Sequence, residues 1–137
     1  RPMKVFVDTS ALLAVLDAND RGHSAVARAW KDLLSGEHEL LTTSYVLVET
    51  FALVQSRIGV EAARVLDQDL LPAVAVIWLD EEIHRAAVSA LLTAGRRQLS
   101  LVDCASFETM RRHGVTTALT LDSHFAEQGF EVLPATS

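Results

Sequence analysis

Four carboxylates of this 137-residue chain stand where a fold could gather them. Asp8 closes the apolar run Val5-Phe6-Val7 and precedes Thr9-Ser10, while Asp122 follows Thr120-Leu121 and precedes Ser123-His124-Phe125. Asp103 ends Ser100-Leu101-Val102-Asp103, and Glu49 has Tyr45, Val46, Ala52 and Leu53 at i−4, i−3, i+3 and i+4. On a helix those neighbours place Glu49 within an apolar stripe, where an unpartnered charge costs several kcal/mol or shifts its pKa. The other three have an ordinary alternative: Asp8 and Asp122 suit helix caps, and Ser100 with Asp103 matches a capping box. Capping leaves unexplained why all four could face one edge. Carboxylates without a lysine partner repel one another, and a hard divalent cation bound through oxygen, Mg²⁺ or Mn²⁺, relieves that repulsion.

The elements that must position these acids follow from periodicity. Short apolar, β-branched runs at Lys4–Val7, Leu40–Thr43, Val74–Leu79, Val115–Leu121 and Phe130–Leu133 predict strands. Helical spacing predicts helices over Ala11–Leu16, His23–Leu34, Tyr45–Arg57 capped by Ser44, Val60–Leu71 ended by Pro72, Glu81–Thr93 capped by Asp80, and Ser100–His113, with a helical turn at Ser123–Gln128. Strands alternating with helices through short loops predict an α/β fold, a parallel sheet with helices on both faces. Ligands of such sheets bind outside the carboxyl ends of the strands, where Asp8 and Asp122 lie. Met3 reads as a natural start, so Arg1 and Pro2 are set aside as expression remnants and the expected domain covers residues 3–137.

Composition narrows the class. With 50% hydrophobic and 22% charged residues the chain is too apolar for disorder. Its longest apolar stretch, Leu70 to Leu79, is broken by Pro72 and falls short of the roughly 20 residues of a membrane span. A lone Cys104 supports no internal disulfide or thiolate-rich zinc site and fits a reducing cytoplasm. The net charge of −6 would ordinarily count against a nucleic-acid partner, yet four of those charges belong to the candidate metal cluster, so the overall balance is the wrong quantity to test.

Taken in order, Val5-Phe6-Val7-Asp8-Thr9-Ser10-Ala11-Leu12, Thr43-Ser44-Tyr45 with Glu49, Leu99-Ser100-Leu101-Val102-Asp103-Cys104-Ala105, and Leu121-Asp122-Ser123-His124-Phe125 resemble the PIN domain, in particular VapC-type toxins. The resemblance runs from Met3 to Leu133. It implies a single PIN-like domain, an α/β/α sandwich around a mostly parallel sheet of about five strands. It further implies an endoribonuclease, the toxin of a toxin–antitoxin pair, with an acidic quartet of Asp8, Glu49, Asp103 and Asp122 and one or two Mg²⁺ or Mn²⁺ per site. Thr9 and Ser10 match positions that in the family help hold the first aspartate and the metal shell. A VapB-like antitoxin, an RNA substrate and a homodimer or toxin–antitoxin hetero-oligomer are the implied partners.

Basic residues are 10 Arg and only 2 Lys, and guanidinium is the better fork for phosphate. Arg85, Arg96 and Arg97 are the candidate RNA contacts, with Arg111 and Arg112 behind them; arginines near helix ends also answer the helix dipole. His124 is read as a surface or capping histidine within reach of phosphate or water, and Cys104 as a small buried hydrophobe. The stretch Tyr45–Leu71 carries more apolar residues than one core-facing stripe needs, which suits either packing or a partner groove. A HAD-type phosphotransferase would need an acid where Ser10 stands, and a receiver domain a late lysine, whereas the only lysines are Lys4 and Lys31. A non-catalytic, metal-stapled binding module and a housekeeping RNA-processing nuclease are the remaining alternatives.

Overall fold

In the computed structural model, which describes residues 2–135, the run Lys4–Val7 forms β1 at the centre of one sheet. Val5, Phe6 and Val7 are fully buried, as alternating side chains must be when both faces of a strand are covered. Beside it stand β2 (Glu39–Thr43), β3 (Val74–Ile77), β4 (Thr117–Leu119) and β5 (Glu131–Leu133), in the order β3-β2-β1-β4-β5. Every pairing is parallel, with Val5 opposite Leu40 on one side and Thr117 on the other. The expected mostly parallel sheet of about five strands is thus wholly parallel among the described residues. Residues 136 and 137 of the expected domain lie outside them.

Among the described residues seven α-helices surround the sheet: α1 (Thr9–Leu16), α2 (His23–Ser35), α3 (Ser44–Arg57), α4 (Val60–Val65), α5 (Glu81–Ala94), α6 (Leu101–Arg112) and α7 (His124–Glu127). With this strand order, right-handed crossovers put α1 to α4 on one face and α5 to α7 on the other. The second face is aromatic. Phe125 lies 6.2 Å from Phe6 and meets Phe107 edge-on at 4.9 Å, and Phe130 closes the group 5.8 Å from Phe107. No helix of the described residues is long and apolar enough to cross a membrane.

The departures from the sequence reading have local causes. The helix expected over Val60–Leu71 ends as α4 at Val65 and continues as a π turn, Leu66–Leu70, and a 3-10 turn, Leu71–Ala73. Pro72 lacks an N–H and its ring excludes the carbonyl four residues back, so a regular α-helix cannot run through it. The altered winding keeps Leu66 and Leu70 in the core. Thr43, not Ser44, caps α3: its hydroxyl accepts from Val46 N at 3.1 Å, while Ser44 Oγ accepts from Leu79 N and ties down the chain after β3. The strand expected over Val115–Leu121 forms only over Thr117–Leu119; Thr120 N still donates to Leu133 O at 2.9 Å, and Leu121 and Asp122 then turn away at the sheet's carboxyl edge.

Between β1 and β4 the connections leave in opposite directions, the switch point at which such sheets open a crevice. Asp8 N donates to Leu119 O at 3.1 Å, so the ends of the two strands are locked together there. Phe125 anchors the wall on the β4 side from within the aromatic cluster. Phe125→Ala is expected to lower the unfolding free energy by about 3–5 kcal/mol, the usual cost of emptying a buried phenyl site, as read from denaturant midpoints at unchanged m.

Candidate metal centre

Four separate segments of the chain build the site at the sheet's carboxyl edge. Asp8 is placed by the end of β1, Asp122 by the segment after β4, and Asp103 by the first turn of α6. Glu49 comes from the second turn of α3. All four carboxylates, with Thr9 and Ser10, line one cavity of about 310 Å³ at the switch point. An apolar hollow of about 580 Å³ adjoins it at Asp122, walled by Leu121, Ala126 and Val132 among others.

Asp8 occupies the cap position of α1, yet its side chain makes no capping hydrogen bond. Its Oδ2 instead accepts from Ser10 Oγ at 2.8 Å and from Thr120 Oγ1 at 2.9 Å. The residue is only 4% exposed. Burial pushes its carboxyl up from 3.8 to about 6 against the pull of those two hydroxyls, and the charges of Asp103 and Asp122 push the same way.

Asp103 both caps and faces the cavity. Its Oδ2 accepts from Ser100 N at 3.2 Å while its own N–H donates to Ser100 Oγ at 3.0 Å, a complete capping box. Capping takes only part of its acceptor capacity: the same Oδ2 lies 3.8 Å from His124 Nδ1, and the second oxygen makes no hydrogen bond among the described residues. Burial raises its pKa, with Asp122 adding to the effect and Ser100 and His124 opposing it. Asp122 shapes its own turn: Oδ1 accepts from His124 N at 2.9 Å, and its N–H donates to Thr120 Oγ1 at 2.9 Å. Glu49 is half-buried at the rim and accepts no hydrogen bond among the described residues. The fully apolar surroundings expected of it are not found, because Ala52 is exposed and Tyr45 and Leu53 only half-buried.

Thr120, Arg57 and Gln98 are not among the candidates of the sequence reading, and His124 is placed differently from it. Thr120 joins Asp8 to the Asp122 backbone through one hydroxyl. Its signal was its place one residue beyond the last strand pair. His124, expected at the surface or as a cap, is half-buried; its Nδ1 lies 2.9 Å from Asp122 Oδ1 and 3.8 Å from Asp103 Oδ2, without hydrogen-bonding alignment to either. The short α7 turns the ring inward because the adjoining Phe125 is pinned in the core. Arg57 and Gln98 also line the cavity. By contrast Arg85, Arg96 and Arg97 do not line it. Arg85 pairs with Glu81 and Arg96 with Glu127, each at 3.0 Å on the surface.

The donor set fits a cation. One ligand atom each from Asp103, Asp122 and His124 lie within 4.8 Å of one another, and a buried imidazole nitrogen without an aligned partner is a spare donor in the same place. Oxygen-rich carboxylate sites with one imidazole suit Mg²⁺, Mn²⁺ and their neighbours rather than soft metals. An all-parallel α/β sheet with four carboxylates lining its switch point is the frame of a candidate cation site. The chain belongs to the PIN domain family, which matches residues 5–131.

It is 33% identical over 132 residues to the 23S rRNA-specific endonuclease VapC20 of Mycobacterium tuberculosis, a match covering 95% of this chain and 98% of that one. Ribonuclease VapC26 of the same organism is 29% identical over 130 residues, covering 89% and 90%. The crystal structure of VapC20, described as a sarcin–ricin loop cleaving toxin, superposes with a TM-score of 0.82 at 32% identity, covering 92% of this chain and 95% of that one. VapBC2 from Rickettsia felis, solved with a promoter DNA fragment, shares the fold at a TM-score of 0.69 and 13% identity, covering 95% and 96%.

The Asp8 shift has a direct thermodynamic consequence. A carboxyl at 3.8 when unfolded and about 6 when folded binds its proton more tightly in the native state, so metal-free stability falls as pH rises from about 4 to about 6. Asp8→Asn removes this dependence and keeps an acceptor for Ser10 and Thr120. In a chelating buffer the variant should match or trail the wild type near pH 4 and exceed it by up to about 3 kcal/mol above pH 7, measured as paired thermal melts across pH. Millimolar Mg²⁺ should stabilise the wild type more than the variant.

Proposed function

We propose that this chain is a metal-dependent endoribonuclease, the toxin of a toxin–antitoxin pair, and that its catalytic residues are Asp8, Glu49, Asp103 and Asp122. The observation that carries the reading is the convergence of these four carboxylates, from four separate segments, on one cavity at the sheet's switch point. The likeness to VapC20 over nearly the whole of both chains supports RNA as the substrate and makes ribosomal RNA the first one to test.

Asp8 and Asp103 are assigned as the most direct ligands of Mg²⁺ or Mn²⁺, Asp122 as an outer or second-site ligand, and Glu49 as a ligand or a group that positions water. When bound, such an ion supplies an ionisable water and neutralises charge building on the phosphate and leaving oxygen. The chain supplies the rest. Ser10 and Thr120 hold Asp8 in one orientation, and Thr9 is fixed behind them by a 3.3 Å contact from Thr50. His124 adds a nitrogen next to Asp103 and Asp122. Glu49 stands at the open rim, where an incoming water needs an acceptor. No protein nucleophile is required, and Cys104, only 4% exposed with its thiol pushed up by burial, is unsuited to be one.

The apolar surplus of Tyr45–Leu71 divides in two. Val54 and Leu66 are core, whereas Ile58 and Val65 stand exposed, joined by Val48 and Val60. This α3–α4 surface suits a small antitoxin laid across it, and a homodimer or a toxin–antitoxin hetero-oligomer is the expected assembly. A reducing cytoplasm remains the expected compartment.

Incubation of the purified chain with total RNA and with ribosomes should give discrete cleavage in Mg²⁺ or Mn²⁺ and none in chelator. Asp8→Asn and Asp103→Asn should reduce cleavage to background while remaining folded. Intact RNA with the wild type in both metals would leave the metal-stapled binding module as the better account.

A further inference from the structure

We propose that Arg57 is a substrate-binding residue of the acid-lined cavity, gripping an RNA phosphate next to the cleaved bond. The proposal rests on the nuclease reading above and adds to it the cation that a purely acidic site lacks. Glu49, Leu53 and Arg57 follow one another along α3 at four-residue intervals, and all three line the cavity. At 1.5 Å per residue the Arg57 backbone lies roughly 12 Å beyond that of Glu49. Arg57 is exposed and lines the cavity at the outer end of this stripe.

Arg57 is the only Lys or Arg lining this cavity among the described residues. It is also free. Arg64, Arg85, Arg96 and Arg112 each pair with a glutamate on the surface, whereas Arg57 makes no ion pair or side-chain hydrogen bond to another described residue. If Arg57 stood there to neutralise the carboxylates, it would touch one of them. A guanidinium on the wall of a pocket of four carboxylates, in contact with none, leaves room for an anion between, with cations on either side of it. Phosphodiester oxygens suit that place, since the fork of a guanidinium offers paired donors to them.

Arg57 also ends α3, where any basic residue complements the helix dipole, and the test must separate that role from a grip on RNA. The wild type, Arg57→Ala, Arg57→Lys and Asp8→Asn would be compared on one RNA oligonucleotide that the wild type cleaves, across salt and Mg²⁺ concentrations. RNA binding would be measured in parallel in Asp8→Asn with and without Arg57→Ala. Loss of one bidentate, charge-assisted contact should lower kcat/KM and RNA affinity by about tenfold to a hundredfold. The slope of log affinity against log salt should fall by about 0.7, the value for one single-strand phosphate contact. The Mg²⁺ half-saturation and the thermal midpoint should hold, and Arg57→Lys should recover part of the affinity.

Wild-type kcat/KM and salt slope in Arg57→Ala would overturn the proposal. So would a defect fully accounted for by altered Mg²⁺ half-saturation, or full rescue by lysine with only a stability change in alanine. If the wild type itself shows no Mg²⁺-dependent cleavage that Asp8→Asn abolishes, the nuclease reading fails and this inference goes with it.

Discussion

A carboxylate almost out of reach of water, with two others close by, is the constraint on which the rest of this structure turns. Asp8 is held by two hydroxyls on the same oxygen, Ser10 from the first turn of α1 and Thr120 from just beyond β4. A hydroxyl has one proton. With Ser10 and Thr120 both donating to Asp8 Oδ2, the 3.2 Å approach between their own oxygens holds no proton and is simply the geometry of two donors sharing one acceptor. Thr120 Oγ1 then accepts from Asp122 N, and Ser10 Oγ from Leu121 N. Two side-chain oxygens therefore fix the spacing of the first and last acids of the site and bind the ends of the central strands to each other.

That arrangement does not by itself make the acids comfortable together. The two hydroxyls pull Asp8 toward the charged form, yet burial outweighs them and Asp103 and Asp122 add their repulsion. The same opposition holds at Asp103, where the capping box offsets burial only in part. A protein that needed this edge only for stability would fill it with apolar side chains, because breaking up buried polar groups into well-packed hydrophobes is often neutral or stabilising. The surviving strain is an energetic preference for a positive ion, which links the aromatic core, whose packing sets α6 and α7, to the chemistry at the edge. Phe107 and Phe125 lie on the same short elements that deliver Asp103 and His124.

Much of this is legible in the sequence. The alternation of strands and helices specified the sheet, and the acids after two strands marked its carboxyl edge, because both features depend on local periodicity. What escaped was decided by tertiary contact. The break of the helix at Val65 came from the need to bury Leu66 and Leu70 ahead of Pro72, and no propensity encodes that compromise. Thr120 looked like one more β-branched strand residue until the strand was seen to stop at Leu119. His124 follows the acidic motif and suits a surface or capping place in the sequence, whereas the anchoring of Phe125 beside it leaves its ring half-buried next to Asp122. Asp103 fills both of the places open to it in the sequence: the capping box is real, and the residue lines the cavity as well.

Charge followed the same pattern. A net charge of −6 says little about affinity for RNA when it sums groups with different work to do. Salt bridges consume the guanidinium groups of four arginines on exposed surfaces, where such pairs contribute little to stability. Their charge is locally cancelled, so they offer phosphate less than their number suggests. The acids that matter are grouped at a partly buried edge, where Asp8 and Asp103 are shielded from water and their charges act at a higher effective field than those of the open surface. The number of arginines is therefore a poor guide to how the switch point meets a polyanion, because what stands there unpaired is the carboxylate cluster and the exposed guanidinium at the far end of the α3 stripe.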